Sequence, residues 1–104
     1  MNIFILNTKW KIVVRTDKAH DSRFPNSHGI TVWEDRKIHI RQSSLDKVTL
    51  LHEMLHAYKF VLSYYELELD EDQVDEFHCE LWAKYGEQML IDADRILEKN
   101  KKKK

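Results

Sequence analysis

Residues 49–58 read TLLHEMLHAY and hold the chain's most reactive pattern: His52 and His56 four apart, with Glu53 behind the first. On a helix, side chains at i and i+4 leave the same face with Cβ atoms about 5–6 Å apart. Two imidazoles so placed can meet one zinc ion at about 2.0–2.1 Å. Glu53 lies about 100° further round the helix, beside the metal rather than on it. In H-E-x-x-H sites this glutamate is the general base towards water and then the acid towards the leaving amine. Zinc lowers the pKa of that water and polarises the scissile carbonyl.

A chance origin can be weighed. The chain has six histidines and nine glutamates in 104 residues, and random ordering would produce H-E-x-x-H about 3% of the time. The apolar surroundings at helical spacing make chance a poorer explanation still.

A catalytic zinc takes three protein ligands and keeps one position open. The acidic stretch ELELDEDQVDEFHCE, residues 66–80, offers Glu71, Asp75 and His78 on one helical face. Glu71 is the preferred third ligand. It opens the second helix, where it can turn back over the first, and a carboxylate suits a helix N-terminus. His78 is the alternative and Asp75 a weaker one. Asp75 is also placed to accept the outer ring N–H of a ligand histidine.

These residues need elements to hold them. Residues 2–6 and 10–15 are rich in Ile, Val, Phe and Trp and read as strands. Residues 16–28 read as a polar loop containing the single proline. Ile30, Val32, Ile38 and Ile40 alternate with polar neighbours around EDRK, which gives a hairpin with strands near 30–34 and 37–41. A capping pattern at Ser43 and Asp46 starts the histidine helix. Its apolar face is Leu51, Met54, Leu55, Tyr58 and Leu62. Asp70 and Gln73 form a second capping box. The second helix turns Val74, Phe77, Leu81, Trp82 and Tyr85 inward, and Gly86 can stop or kink it. Strands followed by helices give an α+β fold with the helices on one sheet face.

Composition sets the limits. One domain over residues 1–98, with a disordered basic tail at 99–104, accounts for the length. The net charge of −1 gives no general case for nucleic acid, although the lysine tail allows weak contact with anionic partners. Cys79 is the lone cysteine, so no internal disulfide forms, which suits a reducing compartment. No apolar run is long enough for a signal peptide or a membrane span, so the expectation is a soluble cytoplasmic protein. His20 and His28 are expected in solvent. His39 faces away from Ile38 and Ile40, towards solvent or the rim of the cleft. Trp10, Trp33 and Trp82 are expected to cover the core, and Cys79 to be a small buried residue. Any of Tyr58, Tyr64, Tyr65 and Tyr85 can supply an oxyanion donor.

HEMLH followed by Glu71, Val74, Asp75, Phe77 and His78 in an E-x-x-V-D-x-F-H pattern resembles the small zincin metallopeptidases of the ImmA/IrrE and phage-encoded type. The resemblance covers residues 29–85. It implies a minimal zincin: a three- to four-stranded sheet packed on an HExxH helix and a second ligand helix. It also implies hydrolysis of a protein or peptide substrate, with zinc on His52, His56 and Glu71. Lys59 and Leu62 stand where metzincins need a glycine and a third histidine, which removes that subclass. The stretch TLLHEMLHAYKFV is also similar to the metal helix of SprT/Spartan-type proteases, which act on DNA-crosslinked proteins, but the glycine and histidine they carry before a phenylalanine are absent from QVDEF. A third expectation is a non-catalytic zinc protein serving as an interaction or regulatory module.

Overall fold

The computed structural model describes residues 1–102. Strand β1 (Asn2–Ile5) and strand β2 (Thr8–Arg15) form an antiparallel hairpin. Leu6 and Asn7 join them at φ 48° and 69°. Both central residues thus have positive φ, the turn geometry whose twist matches a two-residue hairpin. Strand β3 (Gly29–Val32) and strand β4 (Lys37–Arg41) make the second hairpin. β4 then pairs in parallel with β2, Ile12 opposite Ile38 and Val14 opposite Ile40. The sheet order is β1-β2-β4-β3, so β3 is an edge. Among the described residues the fold is mixed α+β, with four strands and three α-helices.

Alternation makes the core. Ile3, Ile5, Trp10, Ile12, Ile38 and Ile40 are all buried and line one sheet face. Helix α2 (Lys47–Val61) and helix α3 (Glu71–Lys102) cover that face. Leu50, Met54, Ala57 and Tyr58 come from α2, and Leu81, Met89, Ala93 and Ile96 from α3.

The region expected to be a polar loop contains helix α1 (Asp17–Arg23). Thr16 caps it by accepting from the Ala19 N–H. Arg41 of β4 pins it through Asp17 at 3.2 Å and Asp21 at 3.0 Å. These contacts bury His20, which was expected in solvent, against Phe24 and Ser27. Phe24 also lies over His39, ring centroids 4.8 Å apart, and that histidine is buried rather than at solvent or the cleft rim as expected. Helices therefore cover both faces of the sheet rather than one. A seven-residue polar helix carries too little apolar periodicity to be legible.

α3 runs unbroken through Gly86. A Cβ at Gly86 would come within 2.9 Å of the Trp82 ring, so the glycine makes room for that indole along the helix. Trp82 and Cys79 are exposed, against expectation, because α3 turns the intervening Leu81 into the core and they lie about 100° and 200° round the helix from it. Residues 99–102, expected to begin a disordered tail, form the last turn of α3. Lysine is a good helix former, and its charge suits a helix C-terminus. Residues 103 and 104 of that tail lie outside the described residues. Among the described residues no helix is long and apolar enough to cross a membrane.

Candidate metal centre

α2 begins one residue after Asp46, whose carboxylate accepts from the Thr49 N–H at 2.8 Å. Asp46 is thus the cap. Ser43 lies in the preceding 3-10 turn, and its N–H donates to Asp17. From this start the helix presents His52, Glu53 and His56 beside the β3 edge.

The two imidazoles converge. His52 Nε2 and His56 Nε2 are 3.3 Å apart, and their rings meet edge to face at 78°. Two nitrogens bound to one tetrahedral zinc at about 2.0–2.1 Å stand about 3.3–3.4 Å apart. The pair therefore fits two corners of a zinc site. Burial, ahead of the opposing charge of Glu53, moves the His56 pKa below its ordinary value. That favours the neutral ring, the form with a free lone pair for metal.

Glu53 is buried, 6% exposed, while its neighbour His52 stands in solvent. The hydroxyl of Thr31, on β3, lies 2.8 Å from Glu53 Oε1 and 2.9 Å from the Glu53 backbone carbonyl. An ionised carboxylate is the stronger acceptor of that single proton. Glu53 Oε2 faces His52 Nε2 at 3.9 Å. One oxygen is thus held and the other is turned to the histidine pair. Gly29 allows this approach, since a Cβ there would lie 3.1 Å from Glu53 Cγ.

On the other side of His56, the Tyr65 hydroxyl lies 2.8 Å from Nδ1. Ser63, at φ 59° and ψ 27°, turns the chain back after α2 and begins the 3-10 turn Tyr64–Glu66 that carries Tyr65. The Tyr65 ring rests on Phe60 at 4.7 Å, and burial raises its pKa, so the phenol stays protonated. Tyr65 is therefore the tyrosine at the site. It sits on the ring nitrogen remote from the converging pair, so it acts through His56. It occupies the place expected of Asp75, beside the outer ring nitrogen of a candidate ligand histidine, while Asp75 is exposed on α3.

The α3 candidates lie differently. The capping box is present: Asp70 accepts from the Gln73 N–H at 2.8 Å and Gln73 Oε1 accepts from the Asp70 N–H at 3.1 Å. Glu71 is the first residue of the helix and is exposed. His78 packs against Tyr64, rings 5.8 Å apart, and its Nε2 is buried without a hydrogen-bond partner. Among the described residues no third His, Cys, Asp or Glu joins the His52–His56 pair in a metal-holding group. A cavity of about 360 Å³ opens beside His52 and Glu53, lined further by Ser27, His28, Gly29, Val48 and Thr49.

Thr31 and Tyr65 carry no motif. Thr31 reads as one polar position in an alternating strand, and Tyr65 as one of four tyrosines. Gly29 opening a strand was the available signal of a close approach. Comparison with models of known protein families, with curated proteins and with solved structures finds no match.

Proposed function

We propose that the chain is a zinc-dependent metallopeptidase. The observation that carries this is the 3.3 Å separation of His52 Nε2 and His56 Nε2, the spacing of two corners of a tetrahedral zinc, with a buried glutamate alongside. His52 and His56 hold the metal. When bound, zinc supplies an activated water and polarises the substrate carbonyl. Glu53 takes the proton from the attacking water and returns it to the leaving amine. The Thr31 hydroxyl fixes Oε1, which leaves Oε2 to carry that proton. The cavity beside His52 and Glu53 receives a side chain of the protein or peptide substrate.

In a minimal zincin the third donor comes from the second helix; here neither Glu71 nor His78 of α3 forms a metal-holding group with the histidine pair, so a third donor requires α3 to approach it. Glu71 is the carboxylate at the helix start, and His78 offers a buried ring nitrogen with no partner. Zinc affinity of Glu71→Ala against His78→Ala identifies which one ligates.

The test of function is mass spectrometry of new N-termini in a proteome-derived protein mixture. Zinc-loaded wild type and zinc-loaded Glu53→Gln are compared at equal metal content. Termini made by wild type alone support the peptidase. None from either protein, with zinc bound to both, would leave a zinc-binding protein without general peptidase activity.

A further inference from the structure

Residues 66–80 carry eight carboxylates and no lysine or arginine, and the metal centre uses at most one of them. On α3, Asp72, Glu76 and Glu80 stand one turn apart and are all exposed. Like charges at this spacing oppose each other and cost helix stability. Lys84 reaches Glu80 at 3.4 Å. These carboxylates border a groove of about 470 Å³ between α3 and the segment leading out of α2. Its floor is apolar: Leu62, Leu69, Phe77, Leu81 and Tyr85. Of these, Leu81 is fully covered and the others are only half-buried. The volume lies within the range of sites that bind a ligand, about 300–1,000 Å³. The lining spans residues 72–85 of α3, about 20 Å of helix or roughly four turns.

We propose that this groove docks an amphipathic helix of a basic partner protein. Leucine- or phenylalanine-type side chains of the partner lie on the apolar floor, and its lysines and arginines meet Asp72, Glu76 and Glu80. Helix-in-groove recognition uses such an apolar face, and the charges set orientation and partner choice. A basic partner also relieves the repulsion among the rim carboxylates. The groove lining contains none of His52, Glu53 and His56, so this surface stands or falls apart from the zinc reading.

The probe is a fluorescein-labelled 15-residue helical peptide of leucine and lysine, with leucines at i, i+3, i+4 and i+7. Binding to the full-length protein is followed by anisotropy. A peptide of the same composition in scrambled order keeps the charge but has no apolar face. The amphipathic peptide is expected to bind at least tenfold more tightly than the scrambled one, and more weakly in 300 mM than in 50 mM salt. The double variant Glu76→Gln, Glu80→Gln changes only exposed side chains and is expected to weaken binding at least fivefold. Glu87→Gln with Glu98→Gln, further along α3, is expected to leave it unchanged. Equal binding of the two peptides, equal loss in both variants, or no binding would overturn the proposal. So would a dimer of this chain that the Glu76, Glu80 variant dissociates, since the occupant would then be a second copy.

Discussion

Lowering the pH from 8 to 5 should destabilise the metal-free protein through His39. This side chain is buried, 3% exposed, under Phe24, and its Nδ1 faces the Arg15 guanidinium. Burial first, then the charge of Arg15, with smaller effects from Lys37 and Arg23, pushes its pKa down to about 4; Asp35 opposes them. In the unfolded chain the value returns to about 6.5. Above pH 6.5 both states are neutral and nothing is lost. Between about 6.5 and 4 the unfolded state takes up a proton that the native state refuses, so stability falls with pH. At pH 5 the loss amounts to about 2 kcal/mol relative to pH 8. With a urea slope near 1 kcal/mol per molar, the midpoint moves by roughly 2 M. Urea unfolding in EDTA, followed by tryptophan fluorescence at pH 8, 7, 6 and 5, measures it. His56, whose pKa is also lowered, adds loss in the same direction. The deciding quantity is therefore the difference in pH dependence between wild type and His39→Gln. The variant should lose about 2 kcal/mol less over this range. Equal pH dependence in the two proteins would refute the assignment.

Two further outcomes follow from the contacts around the histidines. Thr31→Val removes the hydroxyl that holds Glu53 Oε1, so peptidase kcat should fall by about tenfold or more while zinc affinity holds; a zinc Kd that shifts equally with kcat would contradict the positioning of Glu53. Tyr65→Phe removes the partner of His56 Nδ1, and competitive chelator titration should show zinc affinity weakened by about 10- to 100-fold; an unchanged Kd would mean that Tyr65 only packs there.

Much of the frame was legible because burial alternates in it. Ile3, Ile5, Ile12, Ile38 and Ile40 mark the strands; α2 was legible as a helix, but its buried face is Leu50, Met54, Ala57 and Tyr58, with the expected Leu51, Leu55 and Leu62 only half-buried. What stayed hidden depends on contacts distant in sequence. The helix holding His20 exists because Arg41 reaches Asp17 and Asp21 across about twenty residues of chain, and no local pattern announces that. Spacing within α2 was enough to bring His52 and His56 together, since the helix itself supplies the geometry. Glu71 and His78 belong to a separate helix, whose approach to α2 is set by the contacts of Tyr64 with Phe77 and His78 and of Tyr58 with Tyr85. Spacing cannot convey that approach. Thr31 was unreadable for a similar reason: its partner, Glu53, lies on α2 across the edge of the sheet. The exposure of Trp82 and Cys79 follows from which side of α3 carries Leu81 into the core, which residue type does not encode.

The most direct test of the zinc centre is an equilibrium zinc titration of the metal-free protein with a chromophoric chelator as competitor. The chain is predicted to take up one zinc with submicromolar affinity, and His52→Ala and His56→Ala should each weaken it by at least a hundredfold. Wild type that fails to compete for zinc, or binding that both alanine variants retain, would contradict the account.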